Sequence, residues 1–252
     1  MLEELLRLNL FAFFLIFARI GTAIMFLPGF SVTYVSARFR LALALAISFV
    51  IFPVLAARFP VPPNALPDMA LMFVGEIIVG SFFGLILRVL ISSLQTAGTI
   101  ASLASSMANA LIQDPIAEQQ SSTISGFLLT IGIVLIFVTD MHHLMLRALL
   151  ETYAMFEPGQ PLPFGDFADT MGRQVADSFA LGLQMAAPFV VIGLTYYIGL
   201  GLLGRLMPQL PVFFFGLPLQ ITLQLFVFTI TLSGIMIAFI QTFETKVYRF
   251  IP

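Results

Sequence analysis

Long runs of apolar residues with few or no charges punctuate this chain, near 10–28, 40–57, 69–91, 126–150, 178–204 and 212–240. A helix that crosses a bilayer needs about 20 mostly apolar residues, so each run predicts a membrane helix. Residues 178–204 and 206–243 carry no charge. Residues 119–139 carry none either, and their apolar part starts near Gly126. The run 41–57 is short and broken by Pro53, while 69–91 contains Glu76 and Arg88. The first run is interrupted by Arg19 and follows an acidic start, Met-Leu-Glu-Glu. A signal peptide wants a basic start and a small-residue cleavage site, so a retained helix is expected here.

Three segments do not read as simple spans. Residues 58–68 hold four prolines and predict an extended connection. Residues 151–177 predict a polar loop, rich in Pro and Gly, and then a short amphipathic approach to the fifth span. In 92–125, small and polar residues dominate: Ser92, Ser93, Gln95, Ser102, Ser105, Ser106 and Asn109, then Gln113, Asp114, Pro115, Glu118 and Gln119. Such a stretch is too polar to face lipid and too apolar for a solvated loop. It fits a pore-lining or pore-plugging element, because irregular backbone at membrane depth survives only inside protein or beside a wet cavity. It fits equally a packing helix followed by an exposed loop, since small residues let helices approach closely.

Composition closes off the soluble alternatives. Of the 252 residues, 60% are hydrophobic and 10% charged, against roughly 45–50% and 25% in soluble domains. Mean hydropathy is +1.05. The chain reads as an all-α integral membrane protein. A net charge of −2 leaves no basic field for nucleic acid. The absence of Cys removes disulfides, thiol nucleophiles and Cys-ligated metals. The basic residues on alternate sides, Arg7, Arg58, Arg147, Arg173, Lys246 and Arg249 against Arg38, Arg40, Arg88 and Arg205, are too balanced to set an orientation. Helices inserted mainly among other proteins give such ambiguity.

Candidate chemistry is sparse. Asp140-Met-His142-His143 is the one constellation suggesting metal or acid–base work. Adjacent histidines on a helix are expected to point to different faces, and metal pairs prefer i, i+4 spacing, so a polar cluster without metal is the reading here. No nucleophile elbow, phosphate-binding Gly loop or zinc signature is present, and enzyme activity is not expected. Arg19 and Glu76 lie inside apolar runs, where ionisable residues face protein or a wet cavity and find partners. A structural pair is expected rather than a proton pathway, which would want more than one buried carboxylate. Gly80 and Gly84 form a small-xxx-small pair suited to close helix contact. Met107 suits a deformable seal. Residues 204–218 place Pro208 and Pro211 between two apolar runs, predicting a helical hairpin with Arg205 at its bend.

Ordered blocks along the chain carry a resemblance. Arg19-Ile-Gly21 leads to Pro28-Gly29-Phe30 and Val35-Ser36-Ala37-Arg38. Gly75-Glu76 with Gly80 and Gly84, Gln95-Thr96-Ala97-Gly98 and Asp114-Pro115 follow. His143-Leu144-Met145-Leu146, Tyr153, Pro158-Gly159 and Pro188-Phe189 come next. Arg205-Leu-Met-Pro208-Gln209-Leu-Pro211-Val212-Phe213 is the most specific block. In order and in length these resemble the FliR/SctT family of the type III export gate, over nearly the whole chain. The sequence departs from many relatives at Pro211, where they have Asn, and at Asp140-Met-His142-His143, where they have Gly before the His.

The resemblance implies a non-enzymatic subunit, without cofactor or metal, in the bacterial inner membrane at the flagellar basal body. About six apolar helical segments would form bent hairpins. FliP and FliQ homologues would complete a pore for unfolded flagellar proteins, with FlhB and FlhA homologues at its cytoplasmic side and membrane lipid around it. Residues 1–177 would be a FliP-like part and 178–252 a FliQ-like hairpin. Residues 105–122 would plug the closed pore through Ser105, Ser106, Met107, Asn109, Gln113, Asp114, Pro115, Glu118 and Gln119. The bend at Arg205, Pro208, Gln209 and Pro211 would meet FlhB. A stand-alone transporter or channel for a small solute would explain the six runs and Glu76 equally well, but not the ordered blocks.

Overall fold

A computed structural model describes residues 2–32, 34–63, 65–107, 122–207, 209 and 212–251. Seven α-helices and no strand occur among them: α1 (Leu2–Phe26), α2 (Ala37–Leu55), α3 (Leu66–Ala104), α4 (Thr123–Val138), α5 (Met141–Met155), α6 (Phe164–Leu206) and α7 (Val212–Tyr248). The all-α membrane class holds. Four helices are long and apolar enough to cross a bilayer, and α4 with α5 would make a fifth if taken as one broken span.

The apolar runs all fall in helices, with three differences from the sequence expectation. The fourth run is two helices, because Asp140 takes a left-handed conformation (φ 58) that ends one helix and caps the next. The small, polar stretch from Ser92 to Ala104 is not a separate element but the last third of α3. The hydroxyls of Ser93, Thr96, Thr99 and Ser102 bond carbonyls three or four residues back, so these four do not need water. The expected amphipathic approach at 164–177 is the start of α6, continuous with the fifth run. The prolines of 58–68 do mark a non-helical connection: Ala56–Arg58 is a 3-10 turn, 59–63 is irregular, and Pro67 occupies the first turn of α3, where a missing N–H costs nothing.

The chain divides into two compact units, and α3, α6 and α7 give residues to both. The first comprises residues 1–89, 139–174 and 244–252. Its core follows one stripe of α1, Phe11, Leu15, Ile16, Ile20, Ala23 and Ile24, all buried at helical spacing, and Leu27 just beyond its end. Helix α2 runs antiparallel to α1, with Phe52 against Phe13 and Ala44 beside Gly21. Helix α3 runs parallel to α1. At the α3–α6 contact, Phe82 and Phe167 stack at 4.1 Å.

The second unit comprises residues 90–138 and 175–243. Here α6 and α7 form an antiparallel hairpin, registered by Tyr196 donating to the Gly216 carbonyl (2.6 Å) and Gln224 to the Phe189 carbonyl (3.1 Å). Helix α3 meets α6 at Gly182, where a Cβ would lie 2.8 Å from Thr96 Cβ and 2.9 Å from the Ser93 carbonyl. Within the most apolar 18 residues of the four long helices, only 17–39% are buried. Faces this apolar must be covered by lipid or by other subunits.

Candidate functional site

In the first unit, Arg19 and Glu76 meet. Arg19 Nε donates to Glu76 Oε2 at 2.6 Å and Nη2 to Oε1 at 3.0 Å, a two-pronged pair whose members are 1% and 3% exposed. Nη1 donates to the Thr152 carbonyl (3.0 Å) and Nη2 to the Phe156 carbonyl (2.9 Å), both at the C-terminal end of α5. The face of the guanidinium lies 4.0 Å from the ring centre of Tyr153. One side chain therefore ties α1 to α3 through a salt bridge and to α5 through two carbonyls at its C-terminal end, where helical donors run out; that of Thr152 also accepts from Phe156 N. The planar fork of Arg suits this; a Lys ammonium could not reach both sets of acceptors in one plane. Sequence reasoning placed Arg19 and Glu76 in apolar runs and Tyr153 among the family blocks, but gave no sign that Thr152, Tyr153 and Phe156 join Arg19, which lies more than 130 residues before them along the chain.

The close approach of α1 and α3 is set by glycines. A Cβ at Gly80 would overlap the Arg19 carbonyl oxygen and Thr22 Oγ1, and one at Gly84 would lie 2.7 Å from Phe26 Cβ and 2.9 Å from the Ala23 carbonyl. The pair sits one and two turns beyond Glu76, so the helices touch backbone to backbone where the ion pair bridges them. A cavity of about 490 Å³ reaches the pair, and Asp68 and Glu157 line it along with Gly75 and Gly159.

In the second unit, α3 ends in a left-handed residue. Ser106 has φ 56, Met107 N bonds the Ser102 carbonyl (3.0 Å), and Ser106 N bonds Leu103 (3.3 Å). That pair of bonds is the Schellman ending, which usually employs Gly. Ser106 is held there by its hydroxyl, which bonds Tyr197 Oη and Gln220 Oε1. Gln220 Nε2 in turn donates to the Ala104 carbonyl (2.9 Å). Before α4, the Ser122 hydroxyl bonds the Gly98 carbonyl (3.3 Å), and the Ser125 hydroxyl bonds the Gln95 carbonyl (3.2 Å). A Cβ on Gly98 would overlap the Ser125 backbone.

Of the nine residues assigned to a plug, Asn109, Gln113, Asp114, Pro115, Glu118 and Gln119 lie outside the described residues. Ser105 is buried, with its hydroxyl on the Ala101 carbonyl, and belongs to the end of α3. Ser106 and Met107 are half-buried beside it. Gln220, Gln224 and Tyr197 were missed by sequence reasoning. The available signal was two glutamines at i, i+4 in the uncharged run 206–243, since polar side chains in such runs bond across helices. At the hairpin bend Arg205 ends α6 exposed, a favourable place for a cation, and Gln209 is exposed in the turn. Pro208 and Pro211 lie outside the described residues.

The histidines depart from expectation. Their rings do not diverge: the centres of His142 and His143 are 4.0 Å apart, and Asp140 Oδ1 lies 3.4 Å from His143 Nδ1. Both histidines lie in the first turn of α5, so the rings come together through their side-chain torsions and not through the backbone.

Comparison with known proteins fits these features to a family. The model of "Bacterial export proteins, family 1" matches residues 10–246. The flagellar biosynthetic protein FliR of Caulobacter vibrioides is 34% identical over 88% of this chain and 88% of its own length. The FliR of Bacillus subtilis is 28% identical over 94% and 92%. The Yop proteins translocation protein T of Yersinia pestis is 24% identical over 87% and 85%. With matches running through the buried pair, the anchored ends of the central segment and the hairpin alike, the chain belongs to family 1 of the bacterial export proteins and is a membrane-embedded component of a type III export apparatus.

Proposed function

We propose that the chain is a non-enzymatic subunit of the flagellar export gate in the bacterial inner membrane, at the basal body. With FliP and FliQ homologues it forms the pore for unfolded flagellar proteins, and residues 105–122 plug that pore when closed. One observation carries this reading. The described residues on either side of 108–121 stand on the same two turns of α3: Ser122 is fixed to Gly98, and Ser106 follows just after Ala104. Six residues of helix separate those points, about 9 Å at 1.5 Å per residue. Both feet are bolted by Ser, Gln and Tyr side chains within otherwise apolar helices. A segment whose ends are fixed together while its middle carries Gln113, Asp114, Glu118 and Gln119 suits a seal that yields without releasing its anchor.

The wide apolar faces left uncovered on the helices support burial among other subunits. The α6–α7 hairpin supports a FliQ-like part at 178–252 after a FliP-like 1–177, with the bend at Arg205, Pro208, Gln209 and Pro211 as the contact for an FlhB homologue and FlhA nearby. Arg19, Glu76, Gly80 and Gly84 act in packing rather than in proton transport. The relatives that align with this chain include six FliR proteins, which favours flagellar cargo.

Co-expression with the FliP and FliQ homologues and native mass spectrometry of the extracted complex tests the proposal. A closed hetero-assembly containing this chain supports it. A chain that extracts alone, or only with itself, overturns it and favours a stand-alone transporter.

A further inference from the structure

We propose that Asp140, His142 and His143 form a binding site for a divalent transition cation of the zinc class. The three side chains offer ligand atoms that all lie within 4.8 Å of one another. Asp140 Oδ1 and His143 Nδ1 stand 3.4 Å apart. That is long for a charge-assisted hydrogen bond, which runs about 2.7–2.9 Å. It matches the ligand-to-ligand edge of a tetrahedral zinc site, about 3.3–3.4 Å for bonds of about 2.0–2.1 Å.

A second observation is independent of that spacing. Asp at a helix N-cap ordinarily turns its carboxylate back to accept from the second or third backbone N–H. Asp140 caps α5, yet its side chain makes no such bond. The carboxylate is instead turned to the imidazole, and it can be because the residue is left-handed. Both the Asp140 and His143 side chains are largely exposed, 78% and 72%, so hydrated ions reach them and water completes the coordination. Two imidazole nitrogens and one carboxylate suit zinc and its neighbours better than calcium or magnesium, which prefer oxygen alone. Arg147 and Tyr248 line the same recess. The Arg147 charge opposes a cation, which sets a moderate affinity, while the Tyr248 hydroxyl can bond a coordinated water. A bound ion would tie the residue that breaks the fourth apolar run to the first turn of α5.

The probe is Co²⁺, whose visible absorption is intense in tetrahedral sites, titrated into the full-length protein purified in detergent without a polyhistidine tag. A saturable 1:1 band that Zn²⁺ displaces is expected. Asp140→Asn and His143→Gln should each weaken binding by about tenfold or more, with helicity by circular dichroism unchanged. His142→Gln together with His143→Gln should abolish the band. No saturable band in the unaltered protein, or a band that survives the double change, overturns the proposal.

Discussion

Replacing Glu76 with Leu isolates the worth of the buried pair. Arg19 is 1% exposed, so the substitution strands a guanidinium in the core with only the Thr152 and Phe156 carbonyls and the Tyr153 ring for company. Breaking a buried pair by removing one partner costs about 3–5 kcal/mol. Removing both charges, by Arg19→Met with Glu76→Leu, leaves no stranded charge. The residual loss is then the donors to two α5 carbonyls, about 1–3 kcal/mol. Thr152 keeps one donor, because Phe156 N also bonds its carbonyl. The double variant should therefore be more stable than the single one. At roughly 2–4 °C per kcal/mol for a chain of this size, Glu76→Leu should lower the melting temperature by about 6–20 °C, and the double variant by less. Thermal unfolding followed by circular dichroism in detergent reads both. If the two single losses simply add in the double variant, the residues are not coupled and the clamp described here is wrong.

Gly80→Ala should destabilise the protein by about 1–3 kcal/mol, because its Cβ meets backbone. Gly199→Ala, where nothing lies within 4 Å, should be neutral or slightly stabilising in the same melting assay. At Ser106, Ala loses the bonds to Tyr197 and Gln220 yet keeps the left-handed strain, whereas Gly loses the bonds but sheds the strain; S106A should therefore melt lower than S106G, by about 1 kcal/mol. Excising residues 105–122 should raise the ion conductance of the reconstituted gate, and unchanged conductance would count against the plug. Glu76→Gln should impair assembly and export together; intact assembly with lost proton-driven export would show that the residue works in transport.

Much of the fold could be read locally. Each apolar run became helix because burial in lipid rewards any stretch of about 20 apolar residues regardless of its neighbours. The break between the last two apolar runs was equally legible: α6 ends at Leu206 and α7 starts at Val212. The join between 92 and 104 was harder. Small, polar residues there suggested a change of element, but their hydroxyls bond the helix they sit on and allow α3 to continue. The two histidines were expected on different faces because adjacent helical residues diverge at Cβ; their rings nevertheless stand 4.0 Å apart, a matter of side-chain torsions that the residue pattern does not contain.

The sequence by itself determined the class of the protein, the order of its apolar segments, the glycines for close contact and the presence of two charges needing partners. Those properties are sums over neighbouring residues. Only the tertiary structure decided that Arg19 closes on Glu76 and on the end of α5, that Ser106 is braced by Tyr197 and Gln220, and that both feet of the central segment stand on α3. Such pairings join residues far apart in the chain, and their energy depends on distance and angle, which no single stretch of sequence contains.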